Sequence, residues 1–160
     1  MRFNLYPALG LGFLVLTLAV LAQPTLAFNP AHLAQLRRTK ACPNCDLSYA
    51  DLRGWKLAGA DLSGADLTAA NLRSANLSQA KLVGANLNHA DLSKARLIQT
   101  NLSQASLVLT RLENAILNQA NLSNAILGGS DRLSRVKSLE GAILPHGGSA
   151  VESQRGLKSL

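Results

Sequence analysis

The apolar positions of this chain keep a period of five. Leu47, Leu52, Leu57, Leu62, Leu67, Leu72, Leu77, Leu82, Leu87, Leu92, Leu97, Leu102, Leu107, Leu112, Leu117, Leu122 and Leu127 are seventeen leucines in one unbroken register, with mostly polar residues between them. Two residues before each leucine stands a small residue: alanine in thirteen repeats and threonine at Thr100 and Thr110, with Cys45 and Trp55 as the exceptions. A step of five advances about 500° around an α-helix, which scatters the leucines over the whole cylinder. In a straight strand the same odd step sends successive leucines to opposite faces. A coil that turns a corner every five residues suits the pattern, because each leucine then points to a common axis and each small residue fits beside a corner. Four such sides close a square of about twenty residues, and stacked squares pair backbone to backbone about 4.8 Å apart.

Repeats such as Ala-Asp-Leu-Ser-Gly at 60–64, Ala-Asn-Leu-Ser-Gln at 75–79 and Ala-Asn-Leu-Asn-His at 85–89 resemble the pentapeptide-repeat family, A(D/N)LXX. The resemblance covers residues 45–129 and implies an all-β solenoid, a right-handed quadrilateral β-helix, here of just over four coils and about 20 Å of stacked height. It implies a fold rather than one activity. Aromatic residues are only 4% of the chain, too few for an ordinary core, and the leucine column takes their place.

The flanks read differently. Residues 1–27 have the form of a signal peptide: Arg2, an apolar run over 9–22, and Thr25-Leu26-Ala27 as a small-residue cleavage site, with Val20-Leu21-Ala22 the second choice. The run is short for a membrane anchor, which needs about 20 residues, and no cysteine closely follows either site, which argues against a lipid anchor. Cleavage after Ala27 leaves fifteen Lys/Arg against nine Asp/Glu, a net charge of +6. Over 28–44, Asn29 as N-cap and Pro30 at the first helical position predict a helix to about Arg38, with Leu33 and Leu36 on one side and Arg37, Arg38 and Lys40 at its end. This helix is expected to cap the open edge of the first coil; the alternative is a basic helix for a membrane or nucleic acid. The five-residue register breaks at Gly128 and Gly129. Residues 130–138 read as a polar loop carrying Arg132, Arg135 and Lys137, Leu139 and Leu144 restore the spacing out of phase, and 139–145 is a last partial coil or cap. Within 130–160, the Gly/Ser-rich stretch from Gly147 reads as a mobile tail.

Cys42 and Cys45 are the only cysteines. In an exported chain a pair most simply forms a disulfide, here one that pins the cap to the first repeat. Two alternatives stay open, reduced or redox-responsive thiols and a metal site; the second would need further ligands, and His32, His89 and His146 are scattered. The run from Thr39 to Leu47 resembles the corresponding lead-in of lumenal pentapeptide-repeat proteins of photosynthetic bacteria, which favours the disulfide and points to a periplasm or a thylakoid lumen.

Residues twenty apart should stack, so surface columns can be read directly. Gln79, Gln99 and Gln119 form an amide column of the kind that ladders. Asp46, Asp66 and Asn86, followed by Ser106, form another, and Arg53 stacks with Arg73, so no simple ion-pair stripe is expected. Outward positions turn apolar in the later coils: Val108, Leu109 and Ile126 on one face, Ile98 and Ile116 on another. These are the candidate partner or dimer surface, unless the C-terminal segment folds back over one of them.

Catalytic signatures are lacking: there is no glycine-rich phosphate loop, HExxH, nucleophile elbow or pair of carboxylates at a plausible site. A leucine-filled axis leaves no room for a substrate, so neither an enzyme nor a cofactor is expected. The leading expectation is an exported scaffold, monomer or weak homodimer, that presents flat faces to a protein partner and has no stable membrane insertion after cleavage. A redox-responsive element built on Cys42 and Cys45 is the alternative. Some family members inhibit DNA gyrase by mimicking nucleic acid with a strongly negative rod, but a basic, exported chain does not fit that role. Direct nucleic-acid binding is not expected either, since the basic residues form no continuous stripe and aromatic stacking platforms are lacking.

Overall fold

The computed structural model describes residues 28–145. The signal peptide expected at 1–27 and the tail from Gly147 lie outside the described residues. Helix α1, Pro30–Thr39, begins where Asn29 accepts the Ala31 N–H on its side-chain oxygen at 2.9 Å. It ends at Lys40, whose left-handed backbone turns its N–H onto the Leu36 carbonyl at 2.9 Å. That αL turn leads the chain directly into the first coil.

The coils form a right-handed quadrilateral β-helix. Parallel bridges join residues twenty apart on four faces. The first face runs Ala41, Asp61, Lys81, Asn101 and Asn121, and the second runs Asp46, Asp66, Asn86, Ser106 and Ile126. The third runs Asp51, Asn71, Asp91 and Arg111, and the fourth runs Lys56, Asn76, Arg96 and Ile116. Each side contributes one bridge residue before the chain turns, which is why the ladder consists of isolated bridges rather than extended strands. In every repeat from Asn44 to Asn124 the residue two after the inward position has φ between +54° and +69°. This left-handed residue makes the corner. Glycine adopts it freely, whereas residues such as Leu109 and His89 hold it at some cost that the ladder offsets.

The leucines point inward. Sixteen of the seventeen are buried and Leu127, beside the break in register, is half-buried. The alanines beside the corners are buried with them. Thr100 and Thr110 fit the same positions because their hydroxyls donate to the Leu77 and Leu87 carbonyls of the coil below, at 2.8 and 2.7 Å. A hydroxyl satisfied on the backbone removes the usual penalty of a buried polar group.

Two boundaries differ from those read off the leucines. The ladder begins at Ala41, four residues before Cys45, and Cys42 occupies the leucine register itself: its N–H donates to Asp61 as Leu47 donates to Asp66. The period was hidden there because the inward residue is a cysteine. At the other end, residues 130–138 are not simply a loop. Ser130–Arg135 is a 3-10 helix whose Leu133, with Val136 after it, packs partly against the core. It adds two residues to the last coil, so Ile116 bridges Ser138 and Asn121 bridges Ile143 at a spacing of 22. Leu139 thereby returns to the column above Leu117, which explains its shifted phase.

Candidate functional site

Ten of the seventeen leucines follow an Asp or Asn, and that residue has a local structural task. Its side-chain oxygen accepts the backbone N–H two residues on, as Asn101 does from Ser103 at 3.1 Å and Asp66 does from Thr68 at 2.9 Å. A short acceptor side chain thus satisfies a turn N–H that the ladder leaves open. The sequence reading assigned no role to this position; the recurring D/N was the signal that could have found it.

The joint between α1 and the first coil is polar as well as apolar. Leu36 is fully buried over the leucine column and Leu33 is half-buried. The first coil has no coil beneath it, so the Asp46 N–H lacks the carbonyl that receives the Asp66 N–H one coil later. His32 Nδ1 accepts it at 2.9 Å, and the Asp46 carbonyl receives the Asn29 N–H at 3.2 Å. Gln35 Nε2 donates to the Ala41 carbonyl at 2.9 Å. Beside this joint Cys42 and Cys45 are disulfide-bonded with Cα atoms 5.4 Å apart, one in the leucine register and the other in the alanine register. Among the described residues no group of His, Cys, Asp and Glu side chains is arranged to hold a metal.

On the fourth face, Gln79 donates to Gln99 at 3.1 Å and Gln99 to Gln119 at 2.8 Å, an amide ladder up one corner. The third face carries the charges. Asp51 and Arg53 pair at 2.7 Å, and Glu113 lies 3.8 Å from both Arg111 and Arg135 while accepting the Ser93 hydroxyl at 3.1 Å. Pairing two residues apart along one side was not visible from columns twenty apart. Four carboxylates are held below their ordinary range. For Asp51 the Arg53 guanidinium is the main cause, and for Asp61 the Ser63 hydroxyl and N–H. At Asp91 burial opposes ionisation, but hydrogen bonds from Ser93 with the charges of Arg111 and Arg73 outweigh it. At Glu113 its own backbone N–H, then Ser93 and the two arginines, outweigh burial.

The apolar candidates separate. Leu109 and Ile126 are 47% and 58% exposed on the second face, with Val108 half-buried beside them. Ile98 and Ile116 on the fourth face are half-buried, and Ser138 of the last coil stacks directly over Ile116. Residues 138–143 therefore continue the solenoid instead of folding back over either face. Tyr49 and Ile143 are also exposed and were not singled out from sequence. Among the described residues no helix is long and apolar enough to cross a membrane.

The family model for pentapeptide repeats matches eight copies, over residues 45–82, 70–107 and 105–131. No curated protein matches the chain significantly. Among solved structures it is similar to a pentapeptide repeat protein from the Arabidopsis thaliana thylakoid lumen, with 32% identity, a TM-score of 0.49, and 59% of this chain and 61% of that one covered. It is also similar to alr5209, a pentapeptide repeat protein from Nostoc Pcc 7120, with 28% identity, a TM-score of 0.35, and 76% and 79% covered. Rfr23 from the cyanobacterium Cyanothece 51142 is 24% identical with a TM-score of 0.27, over 71% and 97% of the two chains. The chain thus spans about three-fifths of the length of the Arabidopsis protein.

Proposed function

This chain belongs to the pentapeptide-repeat family, and from that premise we propose that it is a non-enzymatic scaffold, exported to a periplasm or thylakoid lumen, that presents a rigid face to a protein partner. The observation that carries this reading is the second face, where Val108, Leu109 and Ile126 place apolar surface on a stiff ladder while the axis beneath is filled by leucine. Apolar groups held flat and outward suit association, and a filled axis suits no substrate. Two measurements test it. The N-terminus of the mature protein should be Phe28; a chain that retains Met1 overturns export. A photo-reactive residue in place of Leu109 should cross-link to one defined protein in that compartment, and no adduct there overturns the reading this face carries.

The disulfide supports a second reading, a redox-responsive element at the joint between α1 and the first coil. Alkylation of the protein in its own compartment separates the two. Blocked cysteines and a lower melting temperature in reductant support a structural clamp, whereas two freely modified thiols support the redox element.

A further inference from the structure

We infer that the edge where the third and fourth faces meet is a docking strip for an acidic protein segment. This rests on the scaffold reading and adds to it a contact apart from the second face, with the chemistry that contact takes. The chain crosses this edge at 54–56, 74–76, 94–96, 114–116 and 135–138 without a single Asp or Glu, and places Lys56, Lys94, Arg96, Arg135 and Lys137 there. At the base, Arg37 of α1 and its C-cap Lys40 line one notch together with Trp55 and Lys56. Of the carboxylates of the solenoid, Asp46, Asp61 and Asp66 stand on the first and second faces; Asp51, Asp91 and Glu113 stand on the third, where Arg53 holds Asp51 and Arg111 and Arg135 flank Glu113, and Glu140 lies past the strip in the last coil.

Arg135 is the member of this strip held by a carboxylate, at 3.8 Å from Glu113. Arg37, Lys40, Lys56, Lys94, Arg96 and Lys137 are exposed and make no ion pair among the described residues. Two open notches lie on the strip. One, of about 360 Å³, is lined by Trp55 and Leu57 with Arg37, Lys40 and Lys56 around them. The other, of about 510 Å³, has Ile116 between Lys94, Arg96 and Lys137.

Unpaired like charges gathered on one edge create a field that draws in an anionic partner and orients its approach. The apolar floors decide which kind. A phosphate backbone is met by cations and hydrogen-bond donors and makes no use of Trp55 or Ile116. A protein segment does use them, since aromatic anchors ringed by charge are where interfaces concentrate their energy. The occupant is therefore a polypeptide stretch in which carboxylates flank apolar side chains. Lys56 and Arg96 are two coils apart, about 10 Å, so an extended stretch reaches both notches.

The test uses the mature chain and a synthetic peptide with glutamates flanking single phenylalanines, read by the emission of Trp55, the chain's one tryptophan. Binding should be saturable and weaken with salt, and replacing glutamate by glutamine in the peptide should abolish it. The triple reversal Lys94→Glu, Arg96→Glu and Lys137→Glu should weaken binding by at least about 10-fold, while Lys81→Glu on the first face leaves it unchanged. Lys137→Gln alone, a milder change, should weaken it measurably with an unaltered melting curve. Reversal and Lys137→Gln variants that bind like the wild type, or a DNA duplex that binds more tightly than the peptide, overturn the proposal. If the strip fails while the probe at Leu109 still captures its partner, the docking strip falls and the scaffold reading stands; if both fail, both fall.

Discussion

His32 accepts the backbone N–H of Asp46 on Nδ1 at 2.9 Å, so a helix side chain stands where a preceding coil would have offered a carbonyl. Replacing His32 by leucine keeps much of the bulk and removes the acceptor. A part-buried N–H left without a partner costs about 1–3 kcal/mol. Urea melts should show that loss. Hydrogen exchange should show the Asp46 amide opening faster while the Asp66 amide, bonded to the Cys45 carbonyl, holds. Unchanged exchange at Asp46 would rule out this capping role.

Leu87 sits at 0% exposure in the middle of the column. An aspartate there meets no cation, and the Thr110 hydroxyl is already donated to the Leu87 carbonyl; a lone buried carboxylate costs several kcal/mol even after it takes up a proton. Leu87→Asp should abolish the cooperative melt seen by circular dichroism. A transition at the wild-type temperature would contradict the inward placement of the column.

Asn101 and Ser103 separate side-chain from backbone contributions within one repeat. Asn101 supplies the acceptor and Ser103 supplies its N–H, at 3.1 Å. Asn101→Ala should cost about 1 kcal/mol, and Ser103→Ala under about 0.5 kcal/mol as a surface change that keeps the N–H. Equal losses in chemical denaturation would mean that the turn bond is not what the D/N position contributes.

Acid should destabilise the fold through the depressed carboxylates. The Ser63 hydroxyl and N–H hold Asp61 below its ordinary value. A carboxylate with a lower pKa folded than unfolded contributes stability that is complete above the unfolded value, near 4, and is lost as pH falls through the folded one. The urea midpoint should thus be flat above about pH 5 and fall below pH 4. Asp61→Asn, which preserves the turn acceptor as Asn71 and Asn76 do, should make the decline shallower. A variant whose midpoint falls as steeply as the wild type's would show that Asp61 contributes nothing to it.

Much of the fold was legible because every repeat carries the same local instruction. Leucines five apart suit neither helix nor strand, so a coil with corners follows, and the residues stacked on each face follow from the count of twenty. The Gln79, Gln99 and Gln119 ladder could be read in that way, since it depends on register alone. Cys42 could not, because the register is written in leucine and the inward residue there is a cysteine. Ser130–Arg135 could not either: a break in period marks that something is inserted, while the two added residues become apparent only when Leu139 is found above Leu117.

The sequence by itself determined the period, the inward column, the helix N-cap at Asn29 and the stacking of residues twenty apart, all consequences of short-range spacing repeated many times. Only the tertiary structure decided that His32 completes the first coil, that Arg53 turns to Asp51, and that cations from α1 and three separate coils gather on one edge. These depend on where elements distant in sequence come to lie and on which way long side chains turn, and a five-residue period constrains neither.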